Sequence, residues 1–165
     1  MGAYADLHRR SITDRESFWT EEARRIHWHR RFDRVLDYSR PPFARWFVDG
    51  QTNLCYNALD RHLATRGEQP ALIYISTETD SEKSYTYSEL HAAVNVMAAV
   101  IAAQGVGRGD RVLLYMPMIP EAVFAMLACA RLGAVHSVVF GGFAAASCAT
   151  RIDDAKPKLL ITADA

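Results

Sequence analysis

None of the three cysteines, Cys55, Cys129 and Cys148, stands at CxxC spacing from another, and an odd set cannot be fully paired within the chain. This excludes a zinc ribbon and a disulfide framework, and reads as reduced thiols. A leader's apolar stretch is missing too: the first twenty residues carry Asp6, Arg9, Arg10, Asp14, Arg15 and Glu16. The longest weakly charged stretch, Val112 to Arg131, is broken by Pro117, Pro120 and Glu121, which excludes a spanning helix. Net charge is also absent, with 19 basic residues against 19 acidic ones. No global field therefore recruits nucleic acid or an anionic membrane, and neither is expected as a partner. These absences together make a cytoplasmic chain the expectation. Nucleophile triads, Cys/His zinc spacing and a Ser/Thr/Gly-rich loop ending in lysine are likewise missing.

What is there is an ordinary globular composition: 165 residues, 50% hydrophobic and 23% charged, enough for one real core. The first forty residues hold nine of the sixteen arginines, and the composition changes at Pro41-Pro42. This marks a boundary between a segment 1–41 and a second body 42–165. From Asp14 to Tyr38 the apolar residues Phe18, Ile26, Phe32, Val35 and Leu36 alternate with charges, which predicts one or two surface-lying helices. Pro42 to Asn57 lacks periodicity and reads as an irregular, aromatic-bearing connector.

Further on the signals sharpen. Ala58 to Thr65 is helical in pattern, while Ala71 to Ile75 and Lys83 to Tyr87 form an antiparallel pair. Thr86-Tyr-Ser-Glu89 has the form of a capping box. Leu90, Val94, Met97 and Ile101 then follow at helical spacing, with Gly105 at the expected stop. Strand Arg111–Met116, helix Glu121–Leu132 closed by Gly133, strand Val135–Phe140, helix Ala144–Asp154 and strand Lys158–Thr162 alternate regularly. That alternation predicts an α/β fold with a parallel sheet and right-handed crossovers. The last strand is reached just before the chain stops, so the sheet is expected to be incomplete.

Few residues suggest chemistry. Val138-Val-Phe-Gly-Gly-Phe143 puts two glycines at the end of a parallel strand, where a ligand can approach the main chain closely. A tight strand-to-helix turn is the plainer reading, since the string matches neither dinucleotide nor P-loop fingerprints. His136 has apolar neighbours and reads as a packed imidazole. His27-Trp28-His29 with its surrounding arginines reads as a solvated face, because residues at i and i+2 diverge on a helix. Met116, Met118 and Met126 are expected in the core. Asp153 and Asp154, adjacent on a helix, point about 100° apart and cannot share a metal. No catalytic residue and no metal ligand is assigned.

Longer strings add to this. Trp46-Phe47, Asn53-Leu-Cys-Tyr-Asn57, Leu59-Asp-Arg-His62, Gly107-Arg-Gly-Asp-Arg-Val112, Tyr115-Met-Pro-Met-Ile-Pro-Glu-Ala122 and Leu127 through Phe143 resemble the short-chain acyl-CoA synthetases of the adenylate-forming superfamily. Pro41-Pro-Phe-Ala-Arg-Trp-Phe47, Ser76-Thr-Glu-Thr79 and Arg151-Ile-Asp-Asp-Ala-Lys-Pro157 resemble the propionate-activating branch of that family. The likeness runs from about Phe18 to Ala165.

The resemblance implies an N-terminal helical cap segment, of acetyl-CoA synthetase N-terminal type and extending to about residue 70, followed by the first βαβ units of an AMP-binding adenylation domain. Ser84 to Leu90 and Leu132-Gly-Ala134 resemble core motifs that serve structure in the family. Its phosphate loop, aromatic–Thr–Glu segment, ribose-binding aspartate and adenylating lysine do not occur in these 165 residues. By resemblance, Phe140, Gly141 and Gly142 line the coenzyme A nucleotide site. The whole enzyme would use ATP, Mg²⁺ and CoA on propionate or a similar short carboxylic acid, while this chain alone would be inactive and bind none of them tightly. Two other readings stay open: an assembly module that docks a complementary ligase piece, and a small autonomous nucleotide-binding protein.

Overall fold

A computed structural model describes residues 2–142 and 144–164, so Phe143 of the glycine-marked string lies outside the described residues. The chain divides into two compact units, Met1–Asn53 and Leu54–Ala165.

The first unit begins with helices α1 (Ala3–Thr13) and α2 (Arg15–Glu22), continued by a 3₁₀ turn at Ala23–Arg25. α1 buries none of its residues, whereas α2 buries Phe18. The stretch expected to be helical up to Tyr38 ends instead as a strand, β1 (Arg34–Arg40), and the expected connector contains β2 (Phe43–Val48). These pair antiparallel, joined at Pro41-Pro42, whose peptide bond is cis. The physical reason is visible in the pairing. Val35 and Val48 are buried, Leu36 lies opposite Trp46, and Asp37 lies opposite Arg45, so the strand period satisfies both apolar and charged side chains. Trp28 anchors the unit: its indole N–H donates to the Ala23 carbonyl at 2.9 Å and its ring meets Phe32 and Phe47. Gly50 is required beneath it, because a Cβ there would lie 2.7 Å from the indole. His27 and His29 are not helical, and their rings approach to 5.1 Å between centroids rather than diverging.

The second unit opens with α3 (Leu54–Ala58), a 3₁₀ turn at Asp60–His62 and α4 (Leu63–Arg66). The hairpin β3 (Pro70–Ser76) and β4 (Ser81–Thr86) follows, and then α5 (Tyr87–Ala103). The predicted capping box is present: the Glu89 N–H donates to the Thr86 hydroxyl at 3.2 Å, and the Thr86 N–H donates to the Glu89 carboxylate at 2.9 Å. Two orphan donors of the first turn are thereby satisfied.

Strand β5 (Arg111–Met116), helix α6 (Pro120–Leu132), strand β6 (Val135–Phe140), helix α7 (Ala145–Ala155) and strand β7 (Leu159–Thr162) complete the unit. The sheet is parallel with order β6-β5-β7, as the alternation predicts. β5 is central, and Val112, Leu113 and Leu114 are essentially inaccessible on both of its faces, as a parallel strand requires. One face joins Val94, Ile101, Ala125, Ala128 and Cys129 of α5 and α6 in the main core. The other packs Leu113, Val139 and Cys148 together with Tyr115 and Ile152. α6 starts on Pro120 and is capped by Gly133, whose φ of +71° lies in the left-handed region that glycine enters without strain.

Side chains at the entry to the sheet tie β7 to β5. Lys158 donates to the Asp110 carboxylate at 3.0 Å and to the Gly105 carbonyl, while Arg111 donates to the carbonyls of Ala155 and Lys156 at 3.0 and 3.2 Å. Asp110 also accepts the Gly107 N–H at 2.9 Å. That backbone donor, together with Lys158, holds its carboxyl below the ordinary carboxylate range.

Candidate functional site

β6 ends at Phe140 and turns immediately through Gly141 and Gly142, at the carboxyl edge of a parallel sheet where α/β folds present ligand loops. The turn forms one wall of an open cleft of about 350 Å³. Its other walls come from β3 and the following turn, through Ile75, Thr77 and Glu78, and from the loop after β5, through Met118. Phe140 is 58% exposed and Met118 is 79% exposed, so apolar side chains reach solvent at the mouth of the cleft. Met118 thus departs from its expected core position, while Met116 is buried and Met126 packs against the main core. Pro117 and the turn behind it carry Met118 out of the strand and into solvent.

Both glycines sit in tight space. A Cβ on Gly141 would sit 3.3–3.4 Å from the backbone of Met116 and Pro117. One on Gly142 would sit 2.6 Å from the Phe140 ring, so the ring lies folded over the Gly142 α-carbon. The Gly141 carbonyl accepts a hydrogen bond from the Tyr115 hydroxyl at 3.0 Å. The strand register explains this reach. Phe140 pairs with Met116 and Tyr115 pairs with Val139, so Phe140 and Tyr115 leave opposite faces of the sheet. A preformed main-chain turn with one aromatic ring beside it can stack a planar group and present backbone N–H to an anion.

The remaining candidates stand apart from the cleft. His136 is half-buried in β6, and burial alone pushes its imidazole below the ordinary value of 6.5. Asp153 and Asp154 are exposed on α7. Among the described residues no group of three or more His, Cys, Asp or Glu could hold a metal ion. Likewise, no helix among them is long and apolar enough to cross a membrane.

One cluster escapes residue-by-residue reading of the sequence. Arg131 of α6 donates through both terminal nitrogens to Asp60 at 2.9 Å, and His91 of α5 lies 3.4 Å from the same carboxylate. The Cys55 thiol, fully buried, approaches it at 3.8 Å and is pushed up in pKa chiefly by burial. Inert packing is what such a thiol does. The cluster fastens the α3–α4 segment to α5 and α6. Leu59-Asp-Arg-His62 is its one sequence signal, as a string with no partner attached.

Comparison with known proteins agrees with this architecture. Residues 59–165 match the family described as AMP-binding enzyme, and residues 4–58 match the one described as acetyl-coenzyme A synthetase N-terminus. The chain is 57% identical to a propionate–CoA ligase of Salmonella typhimurium and 56% identical to one of Escherichia coli, over 99% of its length and 26% of theirs. An acetyl-coenzyme A synthetase of Thiobacillus denitrificans is 56% identical over 99% of the chain and 25% of its own length. The solved acetoacetyl-CoA synthetase from Streptomyces lividans superposes with a TM-score of 0.89 at 36% identity, covering 98% of this chain and 25% of that one. The chain therefore spans about a quarter of the length of the relatives it matches. With a family match over most of its residues and a fold to agree, the chain belongs to the AMP-binding enzyme family, preceded by an acetyl-coenzyme A synthetase N-terminal segment.

Proposed function

We propose that this chain is the N-terminal part of an ATP-dependent short-chain acyl-CoA synthetase that activates propionate in the cytoplasm. The observation that carries the reading is the 57% and 56% identity to two propionate–CoA ligases along 99% of the chain. In the whole protein, a carboxylate oxygen attacks the α-phosphorus of ATP, giving acyl-AMP and pyrophosphate. The thiol sulfur of CoA then attacks the acyl carbon, giving the thioester and releasing AMP. The first step brings two anions together and calls for a cation and a positioned lysine. The family's phosphate loop and adenylating lysine do not occur in these 165 residues, so on this reading the chain supplies architecture for that step rather than its charges. Its own contribution is the turn Phe140, Gly141 and Gly142, which suits the nucleotide end of CoA: a ring for the base and unhindered main chain for phosphate.

The chain by itself turns over no substrate. Incubation with propionate, ATP, Mg²⁺ and hydroxylamine tests this, and acyl-hydroxamate above the enzyme-free blank overturns it. Substrate choice is tested in the whole protein that contains this segment: kcat/KM for propionate exceeds that for acetate, and the reverse order overturns the propionate assignment.

A second reading, a non-catalytic module that docks a complementary ligase piece, is favoured by β6. This edge strand leaves Val135 and Val138 56% and 54% exposed. Co-purification with a separately expressed remainder of such a ligase, with activity restored, supports it.

A further inference from the structure

We propose that Tyr115 is a positioning residue for the turn at the cleft, holding the Gly141–Gly142 peptide plane so that its N–H faces the cleft and can receive a phosphate oxygen. The inference rests on reading Phe140, Gly141 and Gly142 as a contact for the nucleotide of CoA.

The geometry is over-determined from three sides. The half-buried Tyr115 ring packs, with Ile152, against the small core of Leu113, Val139 and Cys148, and its strand is paired on both edges, opposite Val139 and Thr162. Its hydroxyl is thereby fixed in space, 3.0 Å from the Gly141 carbonyl oxygen. On the second side, the Gly141 α-carbon rests against the backbone of Met116 and Pro117, where even a Cβ would come to 3.3 Å. On the third, the Phe140 ring covers Gly142.

A peptide unit is planar, and in the trans form its C=O and N–H point in opposite directions. Only Pro41-Pro42 is cis among the described residues, so the Gly141–Gly142 unit is trans. Tyr115 therefore sets two directions with one bond. The Gly141 carbonyl turns toward the α7 face of the sheet, and the Gly142 N–H turns away from it, toward the side on which Phe140 and the cleft lie. Without the hydroxyl, two consecutive glycines have the widest φ/ψ freedom of any dipeptide, and the plane can rotate. A fixed donor costs no reorganisation when an anion arrives, which is the physical content of positioning.

Tyr115→Phe removes the hydroxyl and leaves the ring in its core. In the 165-residue chain, the Gly141 carbonyl carbon signal is expected to move from a hydrogen-bonded to a free-carbonyl position. The thermal midpoint and the exchange of β5 and α7 amides stay unchanged. In the whole protein that contains this segment, affinity for adenosine 3′,5′-bisphosphate falls roughly tenfold, the scale of one lost hydrogen bond, and affinity for adenosine, which has no phosphate, does not. An unmoved Gly141 carbonyl carbon signal in Tyr115→Phe overturns the role of Tyr115. Equal losses for adenosine and its bisphosphate also overturn it, because a general loosening of the fold would do that. If the unsubstituted whole protein binds neither compound, the nucleotide reading fails, while the carbonyl-shift comparison in the 165-residue chain still decides whether Tyr115 holds the peptide. Should the variant not fold, the Gly141 carbonyl carbon shift in the unsubstituted chain decides: a hydrogen-bonded value supports the inference and a free-carbonyl value overturns it.

Discussion

Arg131 and Asp60, 71 positions apart in sequence, meet in a bidentate pair with both N···O distances at 2.9 Å, on side chains only 24% and 18% exposed. The fork geometry of a guanidinium matches a carboxylate in this way, and Lys in its place would lose one arm. Removing one partner strands the other in a half-buried position, which costs far more than the pair is worth on balance. Asp60→Ala is therefore expected to lower stability by about 2–4 kcal/mol. Arg131→Met in the same chain recovers part of that loss. A urea-denaturation double-mutant cycle over the two positions checks both statements, and strictly additive losses would show that the pair is not coupled.

The capping box at the start of α5 makes a smaller, cleaner prediction. Thr86→Ala removes the hydroxyl that accepts the Glu89 N–H and costs about 1 kcal/mol, read as a shift in denaturation midpoint at constant slope. Thr86→Ser retains the acceptor and recovers most of it.

At the cleft, Gly142→Ala in the whole protein that contains this segment is expected to separate binding from folding. The new Cβ meets the edge of the Phe140 ring, a side chain that can swing aside, so the fold tolerates the change. The ring leaves its place, and CoA affinity falls roughly tenfold, the scale of one lost base stack. Calorimetric titration alongside thermal denaturation distinguishes the two effects.

His136 gives a pH dependence with a definite sign. Burial places its folded pKa below the ordinary 6.5, so the unfolded chain binds the proton more readily. The contribution is complete above about pH 6.5 and is lost as pH falls through the folded pKa. The midpoint of denaturation should fall on acidification through that window, and His136→Thr, which has no proton to take up there, should flatten this part of the curve. A midpoint in the His136→Thr variant that tracks the parent's would assign the effect to other groups.

Local signals were the legible ones. The capping threonine, the four-three-four spacing from Leu90 to Ile101, and Gly133 after α6 each act within a few residues, so the alternating α/β half of the chain could be read before any coordinates. The β1–β2 hairpin could not, since Val35 and Leu36 among arginines satisfy a helical stripe as well as a strand until Trp46 and Arg45 are seen opposite them. The same limit applied at the cleft. Phe140, Gly141 and Gly142 announced a turn, but the wall built by Thr77 and Glu78 comes from more than sixty positions earlier and left no periodic trace. Tyr115 lies in the strand Arg111–Met116 that the alternation predicts, with nothing local to mark its partner. Only the parallel register places its hydroxyl on Gly141.

The pair of ties at the mouth of the sheet, Lys158 on Asp110 and Gly105, and Arg111 on the carbonyls that end α7, has a consequence for error. A parallel strand that slips by two positions keeps every side chain on its proper face, so hydrophobicity alone does not detect the mistake. A slip of that size carries Lys158 about 7 Å along the strand direction, beyond reach of its acceptors. The charged groups at the edge thus act as a vernier for the apolar strand, rejecting the one misalignment that the core would accept.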